Sequence, residues 1–200
     1  MDYFLRKLSE QKERKGRVQH FFDSEVIPAL NLNRTLNFDL EIGCGHGHWL
    51  NHYSNLSSTN ISVGIDLISK RIRKAKSKKD KQNNKNLFFL KSEASEFLQY
   101  KPTHLKISNI FIFFPDPWPK CKHHKRRLIQ DSFLNLLHCN THEQSKIFFR
   151  TDHLEYFDWV RLKIKENNFW KLTDTDFPFA HDSYFQQLLP NFSSIVATRV

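Results

Sequence analysis

Short apolar runs alternate with amphipathic stretches along the chain from Phe38 onward. Continuously apolar runs such as Ile110–Phe114 and Ile147–Phe149 are typical of parallel strands that are covered on both faces. The pattern predicts five strands of this kind, at Phe38–Gly43, Ile61–Leu67, Leu87–Leu90, Ile107–Phe114 and Ile147–Arg150.

Between these runs, apolar residues recur at spacings of three and four, which predicts helices with one buried face. The three faces are Leu50, Tyr53 and Leu56; Ile129, Phe133, Leu136 and Leu137; and Leu154, Phe157, Val160 and Ile164. Alternation of strands and helices predicts an α/β fold with a doubly wound, mostly parallel sheet in three αβα layers. Late strands are expected at Trp170–Thr173 and Ser194–Val200, in antiparallel orientation.

The sequence predicts one domain that follows a basic N-terminal segment. Residues 1–20 are polar and basic, which predicts an N-terminal tail or a loose helix, and residues 21–200 are expected to form a single domain. No apolar run of about 18 residues predicts a membrane span, and the N-terminus lacks the pattern of a secretory signal. Three scattered cysteines suit free thiols in a reducing compartment, so we expect a cytoplasmic protein.

The charge balance indicates an anionic partner. The chain has 31 Lys and Arg against 21 Asp and Glu, a net charge of +10. Nucleic acid is the commonest partner for such an excess, although a soluble protein with a basic surface would show it too.

A glycine-rich turn follows the first predicted strand, where doubly wound sheets bind their ligands. Its glycines, Gly43, Gly45 and Gly47, permit a tight turn and a close backbone approach. The third glycine of the dinucleotide fingerprint would fall on His48, so the spacing disfavours a dehydrogenase.

An acidic residue ends or follows each of the first three strands, namely Glu41, Asp66 and Glu93. A carboxylate at Asp66 can accept hydrogen bonds from both hydroxyls of a ribose, and one at Glu93 can accept from an adenine amino group. Three acids would repel a pyrophosphate, so they suit a cationic, phosphate-free nucleoside such as S-adenosylmethionine.

A proline-rich loop follows the fourth strand. Pro115, Pro117 and Pro119 each fix their own φ and restrict the preceding residue, so Asp116 is expected to be held rigidly, as a catalytic carboxylate requires. The chain resembles the tRNA (guanine-N7)-methyltransferase family in this block, Phe113–Leu128. The resemblance extends to Glu41–Gly47, Gly64–Asp66 and Arg150–Asp152, and it covers roughly residues 38–160.

The resemblance implies a class I, Rossmann-like methyltransferase that transfers a methyl group from S-adenosylmethionine to N7 of a guanosine in tRNA, in the variable loop. It implies that Asp116 is catalytic, that Lys120 and Asp152 bind the target nucleotide, and that the basic stretch beside them contacts RNA. It also implies a cofactor site formed by Glu41, Gly43, Gly45, Gly47, Asp66, Glu93 and Asp116. The RNA-contacting residues would be Lys122, His123, His124, Lys125, Arg126 and Arg127.

Other functions remain open from the residues alone. The Asp116-Pro-Trp118 run is similar to the loop of enzymes that methylate exocyclic amino groups, and a methyltransferase scaffold can serve as a non-enzymatic RNA-binding subunit. The stretch Lys70–Lys85 has nine Lys and Arg against Asp80 alone, which suits either phosphate contacts or a solvated helix face. The cysteines and histidines lack the paired spacing of a zinc site, so no metal is expected.

The C-terminal segment departs from the family pattern. Relatives carry Thr-x-Tyr/Phe-Glu, which grips the target guanosine, followed by a final strand. Either Ser183–Gln186 is a degenerate version, or Ala197–Val200 is the run that precedes the tetrapeptide. We favour the second alignment, in which the guanosine clamp and the last strand are missing and methylation is weak.

Overall fold

The computed structural model describes residues 2–32, 35–56, 60–178 and 191–200, with side chains from residue 5 onward. The strands are β1 (Asn37–Ile42), β2 (Ser62–Asp66), β3 (Leu87–Lys91), β4 (Lys106–Phe113), β5 (Thr141–Thr151), β6 (Trp170–Leu172) and β7 (Ser193–Arg199). The helices are α1 (Asp2–Phe21), α2 (Ile27–Leu32), α3 (His48–Ser54), α4 (Ser69–Lys81), α5 (Ala94–Tyr100), α6 (Asp131–Asn140) and α7 (Leu154–Glu166). A π-helical turn, Phe22–Val26, joins α1 to α2, and a 3-10 helix, Cys121–Arg126, precedes α6.

The strands form one sheet in the order β3-β2-β1-β4-β5-β7-β6. Strands β1 to β5 are parallel, whereas β7 is antiparallel to both β5 and β6. Strand order reverses between β1 and β4, so the carboxyl ends of these strands flank a switch point. The predicted doubly wound, mostly parallel α/β sheet with antiparallel late strands is confirmed.

Side chains alternate across the sheet and build two cores. On β4, Ile110 and Ile112 join the core that α5, α6 and α7 cover, while Phe111 and Phe113 join the core that α3 and α4 cover. The second core is aromatic: Trp49 stacks on Tyr53 with ring centroids 4.9 Å apart, and both contact Phe111. Helices therefore cover both faces, which confirms the three-layer arrangement.

Residues 2–21 form a helix rather than a tail. Its C-terminal part is anchored by buried Val18 and Phe21, and Arg17 Nη2 donates to Glu96 Oε1 at 2.8 Å. The helix crosses the expected boundary at residue 20, and the division into tail and domain stays a prediction. In the part of the chain that the structure describes, no helix is long and apolar enough to cross a membrane.

Two predicted helix faces were wrong in detail. Leu56 is 58% exposed because α3 ends at Ser54, so the chain has left the helix before that position. Leu154 is 71% exposed at the start of α7, and buried Tyr156 takes its place beside Val160 and Ile164. At about 100° per residue, Leu154 points about 120° away from Val160, whereas Tyr156 lies within about 40°.

The late strand predicted at Ser194–Val200 is confirmed, whereas the favoured alignment, in which the clamp and a later strand are missing, stays a prediction. Residues Ser193–Arg199 form β7, which hydrogen-bonds to β5 on one side and to β6 on the other. Ala197, which the favoured alignment placed before the missing segment, is fully buried and paired on both sides. The clamp assignment for Ser183–Gln186 lies outside the described residues and stays a prediction.

Candidate active site

A cavity of about 390 Å³ opens where the carboxyl ends of the first four strands meet. Each parallel strand contributes the residues that follow it, because the chain turns away from the sheet there. The lining includes Ile42 and Gly43 at the end of β1, Asp66 to Ile68 at the end of β2, Ser92 and Glu93 after β3, and Phe113 to Asp116 at the end of β4. The volume lies within the range of small-molecule sites, about 300–1,000 Å³.

Asp66 accepts hydrogen bonds from the backbone amides of two neighbouring segments. Its Oδ2 accepts a hydrogen bond from Gly45 N at 3.0 Å, and its Oδ1 accepts one from Ile68 N at 2.8 Å. Arg71 on α4 lies on its outer side, with Nη1 at 3.5 Å from Oδ2. A carboxylate has about four lone-pair positions, so Asp66 retains capacity to accept from a ligand hydroxyl.

Glu93 caps helix α5. Its two carboxylate oxygens each accept from one backbone amide, Ser95 N and Glu96 N, both at 3.0 Å. This arrangement satisfies two of the free amides at the helix start and fixes the carboxylate at the cavity edge. The exposed side of Glu93 thus presents negative charge to any ligand in the cavity.

Glu41 is buried and is not among the residues that line the cavity. It is 4% exposed, and its Oε2 is buried without a hydrogen-bond partner in the described structure. Burial, together with the negative charge of Asp66, raises the pKa of Glu41 to about 8. Without a ligand, this side chain is therefore mainly protonated at neutral pH.

The three glycines of the turn have different roles. All three have positive φ, of 78° at Gly43, 55° at Gly45 and 66° at Gly47. Only Gly43 lines the cavity, and Gly45 offers its amide to Asp66. A Cβ on Gly47 would lie 2.6 Å from Phe89 Cζ, so packing requires a glycine here, and its assignment as a cofactor-binding residue stays a prediction.

The proline-rich loop carries Asp116 over the cavity. Phe114 at φ 50° and Trp118 at φ 45° flank it in the left-handed region, which costs free energy for residues with a side chain. Phe114 N donates to Arg150 O at 2.8 Å, which attaches the loop to β5. Asp116 itself is exposed and lines the cavity. The loop is thus constrained on both sides of its only carboxylate.

Comparisons with known proteins place this geometry in a family. A family model described as "Putative methyltransferase" matches residues 37–183. A tRNA (guanine-N(7)-)-methyltransferase of Prochlorococcus marinus (strain MIT 9515) is 37% identical over 166 residues, which cover 80% of this chain and 79% of that protein. One from Wolbachia pipientis wMel is 33% identical over 69% of this chain and 62% of its own.

The chain belongs to the tRNA (guanine-N7)-methyltransferase family. Among solved structures, NSun6 from Pyrococcus horikoshii shares the fold, with a TM-score of 0.61 and 15% identity over 86% of this chain and 52% of that one. The family resemblance that the sequence motifs carried is therefore confirmed.

The remaining residues that the family motifs single out lie around the cavity. Lys120 and Asp152 are both exposed, in the loops that follow the adjacent strands β4 and β5. Neither lines the cavity. Their roles stay predictions.

The basic stretch 122–127 divides into an outer and an inner set. Lys122, Lys125 and Arg126 are exposed, and the Arg126 guanidinium lies 5.0 Å from the ring of Trp118. His123 is half-buried, with its ring 5.7 Å from the same tryptophan. His124 turns inward, with Nε2 at 3.1 Å from Glu155 Oε1.

Arg127 does not contact solvent, which corrects its assignment to RNA. It is 2% exposed; its Nε donates to Pro117 O at 2.8 Å, and its Nη2 donates to Glu155 Oε1 at 3.0 Å. The guanidinium also lies 5.1 Å from the rings of Tyr156 and Trp159. Arg127 thus joins the proline-rich loop to α7, and its charge is not available to a phosphate.

Sequence reasoning missed three polar or charged features of the cavity. Arg71 faces Asp66, Ser92 follows β3, and the amide of Ile68 fixes the Asp66 carboxylate. The position of Arg71 in the first turn of α4, five residues after Asp66, was a usable signal. Within the described residues, no group of three or more metal-ligating side chains converges.

Proposed function

We propose that this chain transfers a methyl group from S-adenosylmethionine to N7 of a guanosine in tRNA, namely the variable-loop guanosine that the family resemblance implies. The observation that carries the proposal is the placement of Asp116. A loop with prolines at 115, 117 and 119 holds this carboxylate over a cavity whose lining already includes Asp66 and Glu93. A cytoplasmic location is part of the proposal.

The residues present fit the methyl donor. Asp66, Glu93 and Asp116 make the lining acidic, which favours a cationic nucleoside and disfavours a phosphate. Glu41, two residues before Gly43 on β1, has a buried Oε2 without a hydrogen-bond partner in the described structure, and the charge of Asp66 in this lining helps to raise its pKa. Asp66 would accept from ribose hydroxyls, and Glu93 would accept from the adenine amino group.

The residues of this chain would bind and orient S-adenosylmethionine and the target guanosine. S-adenosylmethionine, when bound, supplies a methyl group attached to a positively charged sulfur. Guanine N7 carries a lone pair and no proton, so the chain needs no general base to expose it. Asp116 would hold the base edge or stabilise the positive charge that arises on the purine, and either role is fulfilled by a fixed carboxylate.

Exposed cations would hold the RNA. Lys122, Lys125 and Arg126 lie on the 3-10 helix immediately after the loop, so phosphates bound there would bring a nucleotide toward Asp116. Lys120 and Asp152, in neighbouring loops, would contact the target nucleotide itself. His123, beside Trp118, completes the outer set.

The test is methylation of an unmodified tRNA transcript, followed by nucleoside mass spectrometry. We expect 7-methylguanosine as the product. Asp116→Asn keeps the shape of the side chain and removes its charge, so we expect turnover to fall by roughly 10²–10³-fold, as for other lost transition-state contacts.

Two controls give this test its meaning. Calorimetric binding of S-adenosylmethionine should change far less than turnover in Asp116→Asn, and thermal stability should be unchanged. A product methylated on an exocyclic amino group would identify an amino-group methyltransferase instead. Binding of tRNA without methylation or cofactor binding would identify a non-enzymatic RNA-binding subunit.

A further inference from the structure

Helix α4 carries far more positive charge than its packing requires. Eight of its 13 residues are Lys or Arg, and Asp80 is its only acid. Only Ile72 and Ala75 are buried. The helix covers β2 and β3, and its first turn contributes Arg71 to the lining of the cavity.

One side of α4 has compensating contacts. Lys76 Nζ lies 3.5 Å from Glu25 Oε1, and Lys79 Nζ lies 4.4 Å from the ring centroid of Phe88. The pKa of Lys79 is lowered by burial, an effect that Glu25 and Asp80 oppose. Cations on this side are therefore explained by contacts within the protein.

The opposite side faces the glycine turn and lacks such compensation. Burial and then the charges of Lys74, Lys78 and Arg71 lower the pKa of His46. Burial and the charge of Lys74 lower the pKa of Lys78, which also contacts His48. Within the described residues, no carboxylate forms an ion pair with Lys70, Lys74 or Lys78.

This arrangement reduces the stability of the helix. Lys70, Lys74 and Lys78 follow one another at a spacing of four, and each like-charged pair at this spacing destabilises a helix by about 0.2–0.5 kcal/mol. Cations in the first turns also oppose the helix dipole. An anionic ligand bound beside these lysines would attract them and offset their mutual repulsion.

The cations lie beside the proposed site and opposite the loop that holds Asp116. The ends of β2 and β4 are two strand spacings apart, roughly 10 Å, and the cavity between them is lined both by Arg71 of α4 and by Asp116 in the loop that precedes the 3-10 helix. A nucleic acid that presents a base to the cavity would bring its own backbone close to both. Duplex nucleic acid has one charge per about 1.7 Å of its axis, so a helical arm could supply phosphates to each side.

We propose that Lys70, Lys74 and Lys78, here called the α4 surface, bind backbone phosphates of the tRNA substrate, on the side of the cavity opposite Lys122, Lys125 and Arg126. The inference rests on the proposed function for the identity of the RNA. It assigns to the chain a second region of phosphate contact, so the substrate is held from both sides of the cavity.

The test is the salt dependence of tRNA binding, measured by fluorescence anisotropy with one transcript. Each phosphate contact contributes about 0.9 to the slope of log K against log salt, so K70A/K74A should reduce the slope by about 1.8. The matched control is K81A/K85A, which removes two exposed lysines at and after the far end of α4. Both double variants lower the net charge equally, and the control should keep the wild-type slope.

Equal slopes for the two double variants, whether lowered or unchanged, would overturn the proposal. Loss of binding to polyglutamate in K70A/K74A, with an unchanged slope for tRNA, would instead indicate an acidic protein partner. Calorimetric affinity for S-adenosylmethionine and the circular dichroism spectrum should match the wild type in both. If the slopes differ as expected but the wild type makes no 7-methylguanosine, the proposed activity fails and the α4 surface stands.

Discussion

At the scale of single residues, the basic run 122–127 contains both exposed and buried cations, which composition does not distinguish. All of its cations follow the proline-rich loop in sequence, and only burial separates those that face solvent from the one that does not. Arg127 is buried because its guanidinium has hydrogen-bond acceptors on two elements and aromatic rings beside it. No periodicity in a 3-10 helix of six residues could have indicated this.

Arg126 and Arg127 should therefore respond in opposite ways to substitution by alanine. R127A leaves Pro117 O without its donor and removes a buried guanidinium that packs against Tyr156 and Trp159, so we expect a loss of about 2–3 kcal/mol in the free energy of unfolding. R126A, at an exposed position, should change stability by less than about 0.5 kcal/mol. Urea unfolding measures both.

The salt dependence of tRNA binding should show the reverse order. We expect R126A to lower the slope by about 0.9 and R127A to leave it unchanged. If R127A lowered the slope as much as R126A, the buried position of Arg127 would not describe the protein in solution.

Glu41 should make the stability of the ligand-free protein depend on pH. Its pKa is raised by burial and by Asp66 from an ordinary value of 4.5 to about 8 in the folded state. Between these values the folded state binds more protons than the unfolded state, so the contribution of Glu41 to stability falls as pH rises and levels off above about pH 8. The melting temperature measured from pH 5 to 9 should fall accordingly.

The matched variant for this prediction is E41Q, which keeps the shape and cannot ionise. We expect it to melt at a higher temperature than the wild type at pH 9 and to show a flatter profile across the range. A parallel decline in both proteins would mean that another group causes the pH dependence.

At the scale of elements, the strands were predictable where their residues are apolar. The first half of β5, Thr141–Lys146, was not predicted because its residues are polar and its pairing with β4 holds it in place. Gln144 has φ 69° there, and the register shifts between Ile107 and Asn109. Such irregular pairing depends on the neighbouring strand, which a local pattern does not contain.

The glycine turn between β1 and α3 provides a test within one element. G45A and G47A both place a side chain at positive φ, which costs about 1–2 kcal/mol. Only Gly47 also meets a neighbour, since its Cβ would lie 2.6 Å from Phe89 Cζ, and overpacking adds about 1–3 kcal/mol. Urea unfolding should rank G47A as the less stable variant.

A smaller side chain at position 89 should restore part of the stability that G47A loses. We expect G47A to cost less free energy of unfolding in the F89L background than in the wild type, because the leucine side chain lacks the ring atom that the new Cβ would contact. Equal costs for G45A and G47A would show that the turn relaxes and that Phe89 does not restrict it.

At the scale of the whole molecule, the sequence located the site but not its full lining. The acids at the strand ends could be placed together because parallel strands share one carboxyl edge. Leu128 reaches the cavity from the segment before α6, through packing that no spacing rule contains. The strand at Ser194–Val200 was likewise predicted, but its position between β5 and β6 became evident only from the fold.

The N-terminal boundary of the domain gives the last prediction. Residues 5–13 of α1 are exposed apart from the half-buried Glu10, so deletion of residues 2–13 should lower the free energy of unfolding by less than about 1 kcal/mol. Deletion of residues 2–21 also removes buried Val18 and Phe21, each worth about 1.5–3 kcal/mol. It leaves Glu96 without Arg17, so we expect a total loss above about 4 kcal/mol. Urea unfolding of both truncations locates the boundary between tail and domain. Equal stability of the two truncated proteins would place this boundary at residue 20, whereas the expected difference would place it within α1.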